Sequence, residues 1–414
     1  MTRPITIVLD DDPTGTQSAR GVPVLLDPEA DPTRVPGTDD AVYVLTNTRA
    51  MEEDEAVALL RRVRARVDAA GVRAEYVLRG DSTLRGHVFA ESDVFGGDVL
   101  LFVPAFPAGG RTTVDGVHYV TVDGRRQVAA DTEFAADPVF GYRARTLPGW
   151  VREIGGRDAR PVGLAALRAD GPDAVARALC AAPAGTVVVP DAETDDDLAV
   201  ISAGLDRARA AGRAVTLRCA APLAAMRAGR HSARPVSPPA RGRTGGTLVV
   251  CGSHTDASSR QLAALSRDLK TPVHTVSTTA ALSDPDREGA RLAAALGAEL
   301  ARGGVAIVAS ERTRRAEHGA LRHGAQVMRA LCGAVTPNAR LLAAVIAKGG
   351  ITSAEVARRG LGARTARVVG PLLPGIAVWE VPASAGGPIP YAVVPGNVGG
   401  ERTLVDIAHV FGLI

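Results

Sequence analysis

Three stretches of the chain place reactive side chains at spacings that can do chemistry. The first, Asp10-Asp11-Asp12-Pro13-Thr14-Gly15-Thr16-Gln17, follows directly on the apolar run Ile5-Thr6-Ile7-Val8-Leu9. Adjacent carboxylates repel one another, so a fold that keeps three of them uses them with a cation or a proton. Along an extended chain Asp10 and Asp12 are expected on one side and Asp11 on the other. The second, Arg79-Gly80-Asp81-Ser82-Thr83-Leu84-Arg85-Gly86-His87, gathers two arginines, two hydroxyls, an aspartate and a histidine. A guanidinium grips a carboxylate in a bidentate fork, and Ser, Thr and Asp match sugar hydroxyls, so this stretch suits a small polyhydroxy acid. The third is a set of strand–glycine–helix junctions in the C-terminal half. They are Gly252-Ser253-His254, then Lys348-Gly349-Gly350-Ile351-Thr352-Ser353-Ala354-Glu355, then Pro395-Gly396-Asn397-Val398-Gly399-Gly400. Glycines let a phosphate approach bare backbone N–H groups, and a following helix dipole favours the anion. Thr352 and Glu355 have the spacing of a capping box. Taken singly, each stretch also has a plain structural explanation, as an Asp-capped turn, a surface salt bridge or an ordinary glycine turn. Three glycine junctions in one half favour a nucleotide or phosphate site.

These stretches all sit where strands end. Apolar runs over 5–9, 22–26, 41–45, 76–79 and 99–103 predict strands, as do 186–189 and 214–217. Between the third and fourth lies a helix with an acidic first turn (Glu52, Glu53, Asp54), an apolar stripe (Val57, Leu60, Val63, Val67) and a stop at Gly71. The C-terminal half repeats the pattern, with strands over 248–251, 273–276, 305–309, 342–347, 377–381 and 391–394. Continuous apolar strands separated by helices define an α/β protein whose sheets are mainly parallel and flanked by helices on both faces. In such sheets ligands sit outside the carboxyl ends of the strands. Residues 227–246 hold three prolines, several glycines and many arginines with few large apolar side chains, which marks a linker. The expected organisation is therefore two domains, residues 1–230 and 247–414, joined by a linker over 231–246.

Composition narrows the function classes. With 414 residues, 46% of them hydrophobic and 22% charged, the chain has ample core for two or three globular domains. Aromatics at 3% are too few for a single-strand stacking platform, and a net charge of +3 supplies no field toward nucleic acid or anionic membrane. No apolar run approaches the ~20 residues of a membrane span. Cys180, Cys219, Cys251 and Cys332 form no C-x-x-C pair, and the N-terminus enters a strand without a signal-peptide pattern, so a cytoplasmic location is expected. Lys270 and Lys348 are the only lysines among 48 basic residues. Neither completes a P-loop, no G-x-G-x-x-G follows a strand, and there is no kinase H-R-D. His118, His231, His274, His318, His323 and His409 show no ligand spacing, while His87 and His254 gain interest from their neighbours.

Together these motifs resemble the four-carbon acid sugar kinase family, once labelled Hrp-dependent type III effectors, over nearly the whole chain. Asp11-Asp12-Pro13-Thr14-Gly15-Thr16 is similar to the family's D-D-x-T-G-[AT] opening, and Asp81-Ser82-Thr83-Leu84-Arg85-Gly86 is its D-S-T-L-R-G as it stands. Pro104-Ala105-Phe106-Pro107 with Gly110-Arg111-Thr112, Thr132 to Pro138, and Asp191 to Leu198 also resemble family segments. Gly252-Ser253, Gly349-Gly350-Ile351-Thr352-Ser353 and Gly396-Asn397-Val398-Gly399 fall where the family binds ATP. Ile351 departs from the acidic residue many members carry, and Pro395-Gly396-Asn397-Val398-Gly399 replaces S-G-N-F-G.

The resemblance implies an N-terminal domain for a sugar acid, a C-terminal domain for ATP, and transfer of the γ-phosphoryl to a terminal hydroxyl of a threonate, an erythronate or a 3-oxo-tetronate, with Mg²⁺ as counter-ion. On it, Arg85 is assigned to the substrate carboxylate and Asp81, Ser82 and Thr83 to hydroxyls. Asp12, with Asp11 beside it, is general base or Mg²⁺ organiser. Ser253, Gly349, Gly350, Ile351, Thr352 and Gly396 line the ATP site, and Lys348 stands next to it. No metal site is assigned, and a homo-oligomer stays open. Two rivals remain. Asp10-x-Asp12-x-Thr14 fits the D-x-D-x-[TV] opening of a haloacid-dehalogenase-type phosphatase with Asp10 as nucleophile, although neither lysine has the required acidic pair nearby. A non-enzymatic effector or sugar-acid binding protein is the other.

Overall fold

A computed structural model describes residues 4–35, 37, 40–122, 124–240, 242–312, 321–383, 387–396 and 398–414, with only the backbone of 321 and 322. Two compact units emerge, Met1–Ala233 and Arg234–Ile414. In the first, the elements in chain order are β1 (Ile5–Asp10), β2 (Val22–Leu25), β3 (Ala41–Leu45), α1 (Glu53–Ala69), β4 (Ala74–Arg79), α2 (Val88–Asp93), β5 (Val99–Val103), β6 (Arg111–Val114), β7 (Val117–Val122) and β8 (Arg125–Val128). They continue as α3 (Leu147–Gly155), β9 (Ala159–Val162), α4 (Leu164–Asp170), α5 (Pro172–Ala181), β10 (Val187–Pro190), α6 (Asp195–Ala210), β11 (Val215–Cys219) and α7 (Ala221–Arg227). The strands line up as β2-β3-β1-β4-β11-β5-β10-β9, all parallel. β6, β7 and β8 form a separate antiparallel meander.

Burial explains why these segments fold so. β1 and β3 place Ile7, Leu9, Val42 and Val44 on one face, against the Leu59, Leu60, Val63 and Val67 stripe of α1. The first turn of α1 carries Glu53, Asp54 and Glu55, which suit the positive helix end. A second cluster packs Trp150 between Phe102 (ring centroids 5.1 Å apart) and Phe89 (5.4 Å). α6 opens with a full capping box, Thr194 with Asp197.

The second unit holds β12 (Gly246–Cys251), α8 (Asp256–Leu269), β13 (Val273–Thr275), α9 (Thr278–Ser283), α10 (Pro285–Ala301), β14 (Val305–Ala309), α11 (Leu321–Val335) and β15 (Leu342–Lys348). α12 (Gly350–Glu355), β16 (Thr365–Leu373), β17 (Ile376–Val381), β18 (Ile389–Val394) and α13 (Thr403–Val410) complete it. Its order is β13-β14-β12-β15-β18-β17-β16, parallel up to β18 and antiparallel beyond. Val249, Ile307 and Ile346 pack under Leu262, Leu265, Leu404 and Ile407. Among the described residues no helix is long and apolar enough to cross a membrane.

The α/β expectation, with mainly parallel sheets, holds. β16 was not foreseen, because Gly370 and Pro371 interrupt its apolar pattern and its register shifts at both. β9 carries Pro161 and is only four residues long, and it escaped for the same reason. Replacing the fully packed Trp150 by alanine is expected to destabilise the first unit by about 3–5 kcal/mol. A lower urea midpoint at unchanged m-value checks this.

Candidate functional site

In a parallel sheet the carboxyl ends of neighbouring strands lie on one edge. The order β3-β1-β4-β11 therefore brings together the residues after β3 (Arg49), at the end of β1 (Asp10, Asp11, Asp12), after β4 (Arg79 to Arg85) and in β11 (Arg218). Asp10 stands in register with both Leu45 and Arg79.

The acids and arginines interlace in two tiers. In the lower tier Arg79 Nη1 lies 3.0 Å from Asp10 Oδ1 and 3.5 Å from Asp11 Oδ1, and donates to the Asp12 carbonyl at 3.2 Å. Arg218 Nη2 donates to Asp11 Oδ2 at 2.9 Å, and its Nη1 donates to Glu91 on α2. In the upper tier Arg49 donates to Asp12 and lies 3.4 Å from Asp81, while Arg85 Nε donates to Asp81 at 2.7 Å and Nη1 approaches Asp137 at 3.7 Å. Side-chain exposure separates the tiers. It is 1% for Asp11 and Arg218, against 13% for Asp12, 10% for Asp81, 16% for Arg49 and 22% for Arg85.

The electrostatics follow the same division. Burial pushes Asp10 up to about 7 against the pull of Arg79, and the charges of Asp11 and Asp12 add to the push. Burial also raises Asp11, against Arg49, Arg218 and Arg79. Burial acts on Asp12 in the same sense, but Arg49 and Arg79, with the Thr14 hydroxyl and N–H donating to its carboxylate, overcome it and hold the group low. Asp81 is likewise held far below the usual carboxylate range, by Arg85, Arg49 and the Thr83 hydroxyl against burial. The carboxylates of the upper tier therefore keep their negative charge at neutral pH.

Two expectations change here. Asp10 and Asp11 do not face opposite sides, because β1 ends at Asp10 and one arginine, Arg79, spans both. Nor is Asp10 placed as a phosphatase nucleophile. It is buried on Arg79, and a Cβ on Gly15 would collide with its carboxylate, so the turn seals it from above. Asp11, Asp12, Asp81, Ser82, Thr83 and Arg85 are brought into one cluster, with Asp11 beneath the rest.

Several members went unforeseen in these roles. Arg49 and Arg218 are lone arginines in ordinary sequence. Their one signal was position, just beyond or within a strand bound for the same edge. His118 on β7, expected to be unremarkable, is buried with Nε2 2.8 Å from the Ser82 carbonyl oxygen and Nδ1 2.9 Å from Thr113 Oγ1. It fixes the backbone of the Asp81–Gly86 turn, in which Leu84 adopts a positive φ of 70°. His87 is held by the Met51 carbonyl (2.9 Å) and His254 lies 3.1 Å from the Glu311 carbonyl oxygen. His318 and Asn397 lie outside the described residues.

In the second unit the junctions after β12, β15 and β18 also share one edge, with Cys251 in register with Lys348 and Lys348 with Val394. Ser253 sits among them. A Cβ on Gly396 would fall 2.7 Å from Ser253 Oγ, and one on Gly349, whose φ is +117°, would fall 2.9 Å from Thr352 Oγ1 and 3.3 Å from Ser253 N. Three backbone turns thus close on one another where any side chain would fill the space, which fits a phosphate cradle. Ser253, Gly349, Gly350, Ile351, Thr352 and Gly396 come together there. Ile351 is 46% exposed, an unusual state for an isoleucine, at the first turn of α12. Thr352 does not cap a helix as its spacing suggested. Gly349 is the N-cap and Thr352 lies inside the first turn, buried. Lys348 is fully buried and donates from Nζ to the Pro395 carbonyl at 2.7 Å.

The first unit thus carries a charged polar cluster and the second a glycine cradle, and each unit matches a known domain family. Residues 6–227 match the family model of a sugar-binding N-terminal domain, and residues 248–404 that of a nucleotide-binding C-terminal domain. The chain belongs to the four-carbon acid sugar kinase family. A D-threonate kinase of Bordetella bronchiseptica is 36% identical over 238 residues, which cover 55% of this chain and 51% of that protein. The chain thus spans about half the length of the curated relative it matches. A protein of Salmonella typhimurium LT2 shares the fold at TM-score 0.71 and 18% identity over 98% of this chain and 99% of its own. One of Haemophilus influenzae does so at TM-score 0.65 and 18% identity, over 99% and 100%.

Burial, with the Arg111 charge, pushes His118 down to about 4, against its hydrogen bond to Ser82 and the Asp81 charge. A histidine whose folded value is depressed contributes stability above its unfolded value near 6.5 and loses it as pH falls toward 4. The stability difference between wild type and His118→Gln should therefore shrink by up to about 3 kcal/mol between pH 6.5 and 4. Denaturant midpoints measured across that range check it.

Proposed function

We propose that the chain is an ATP-dependent kinase that phosphorylates a terminal hydroxyl of a four-carbon sugar acid of the threonate, erythronate or 3-oxo-tetronate type. The observation that carries this is the partly buried upper tier Asp12–Arg49–Asp81–Arg85, an alternation of fixed charges at a strand edge. Its turn is lined by Ser82 and Thr83, and a glycine cradle in the second unit suits phosphate. The likeness to a D-threonate kinase supports the reading.

Each residue has a physical task. Arg85 has its Nε committed to Asp81, while among the described residues its terminal nitrogens donate no short hydrogen bond and approach Asp137 at 3.7 Å, which leaves them for a substrate carboxylate. Arg111 stands within the field of Asp81 and Arg85, and its Nε is buried without a partner, so it is a second donor for that carboxylate. Asp81, Ser82 and Thr83 order the hydroxyls. Asp12 accepts a hydrogen bond from the attacking hydroxyl. Because its carboxyl is held low, it orients and polarises that hydroxyl more than it removes the proton early, in keeping with a transfer governed by positioning.

Ser253, Gly349, Gly350, Thr352 and Gly396 hold the nucleotide's phosphates, and Ile351 offers an apolar contact beside them. When bound, Mg²⁺ neutralises charge on the transferring phosphoryl. It would be held chiefly through the phosphate chain, since the carboxylates Asp11, Asp12 and Asp81 are all committed to arginines.

Asp12→Asn should lower kcat by about 10²–10⁴ with ATP binding retained. ATP consumption measured against threonate, erythronate and 3-oxo-tetronate isomers tests the function, and no turnover with any of them rejects it. Arg85→Lys, which loses the fork, should raise the KM for the acid while leaving that for ATP unchanged.

A further inference from the structure

The loop after β18 has its carbonyl oxygens captured almost one by one. Pro395 O accepts from Lys348 Nζ at 2.7 Å, and Gly396 O accepts from Thr255 Oγ1 at 2.9 Å and Ser258 Oγ at 3.0 Å. Val398 O accepts from Lys348 Nζ at 3.2 Å and Gln261 Nε2 at 3.1 Å, and Gly399 O accepts from Gln261 Nε2 at 3.2 Å. Lys348, Ser258 and Gln261 are fully buried, so these donors form a floor beneath the loop.

A trans peptide is planar, with its C=O and N–H on opposite sides. No cis bond occurs among the described residues. Holding the carbonyls of 395, 398 and 399 against the floor therefore turns the N–H groups of Gly396, Gly399 and Gly400 the other way. Among the described residues none of these three N–H groups donates a hydrogen bond. Each belongs to a glycine, so no Cβ screens it.

Lys348 adds charge to geometry. Among the described residues its ammonium pairs with no carboxylate, and the neighbouring Cys251 thiol is pushed up by burial and stays uncharged at neutral pH. Burial pushes it down to about 8, which leaves it mostly protonated at neutral pH. An isolated buried cation is costly unless an anion or oriented dipoles compensate it, and here the Pro395 and Val398 carbonyls do so.

Resting on the nucleotide reading above, we propose that Lys348, Gln261, Thr255 and Ser258 are positioning residues that hold the carbonyls of Pro395, Gly396, Val398 and Gly399 on the floor. The N–H groups of Gly396, Gly399 and Gly400 then form a nest for a polyphosphate chain, with the Lys348 charge beneath it. Lys348 thus acts on phosphate through the loop, without touching it.

The test uses full-length chain labelled with [¹⁵N]glycine and titrated with tripolyphosphate and, separately, adenosine. Tripolyphosphate should move the amide signals of Gly396, Gly399 and Gly400. Lys348→Met should weaken tripolyphosphate about 10-fold or more while adenosine affinity stays put. Gln261→Met, which keeps the bulk and probes the floor from α8, should show a smaller loss in the same direction and serves if the lysine variant does not fold. The proposal is overturned if the three amides do not respond in wild type. A folded variant that binds tripolyphosphate as wild type does, or that loses adenosine equally, overturns it too. A chain that passes this test yet transfers phosphate to no sugar acid loses the kinase reading and keeps the nest.

Discussion

Carboxylates at the ends of buried parallel strands must be compensated where water cannot do it, and the first unit is organised around that constraint. Asp10, Asp11 and Glu91 lie in a region where stripping water from one ion costs several kcal/mol. Arginine solves this where lysine could not, because a planar fork reaches two acids at once. Arg79 spans Asp10 and Asp11, Arg218 spans Asp11 and Glu91, Arg49 spans Asp12 and Asp81, and Arg85 spans Asp81 and Asp137. Every acid in the chain of contacts is thereby fixed in place by a neighbour that is itself fixed. The upper tier inherits its rigidity from the buried one.

The second unit meets the same edge of a parallel sheet with other means. Where the first spends side-chain charge, this one clears side chains away. Gly252, Gly349 and Gly396 let three turns approach to distances a Cβ would forbid, and the polar work passes to backbone and hydroxyls such as Ser253 and Thr255. The difference suits the ligand each favours. A hydroxy acid presents scattered donors and acceptors that discrete side chains can match. A phosphate chain presents a run of equivalent oxygens, which a run of N–H groups can meet.

Much of this was legible in the sequence, and the limits have physical causes. Strand ends were readable because buried parallel strands are continuous apolar runs, so Asp10–Asp12, Asp81–Arg85 and the glycine junctions declared themselves by position. The partners did not. Arg49 and Arg218 sit far from those motifs in sequence, and only the strand order β3-β1-β4-β11 brings them to the acids. His118 hid because its role is to hold a carbonyl, a contact with no sequence pattern. Asp10 could be entertained as the nucleophile of a rival reading because spacing alone cannot show that Gly15 folds back over it. Thr352 had capping-box spacing, but the chain enters α12 through Gly349, three residues earlier than that spacing implies.

The scarcity of lysine also determines which groups remain open to a substrate. Arg79 and Arg218 each bridge two acids and are almost wholly buried, which takes them out of reach of a substrate carboxylate, and Arg49 is shared between Asp12 and Asp81. Arg85 is different, since its only short contact to an acid uses Nε and its second acid is 3.7 Å away. Arg111 has no acid within pairing distance among the described residues and keeps an unpartnered Nε. Arg85 and Arg111 thus act beside the Asp81 turn, whereas Arg79 and Arg218 brace the cluster from below. On the proposed reading, an incoming carboxylate would complete the alternation of charge that the buried tier begins, which is a physical reason for such an edge to suit an acid better than a neutral sugar.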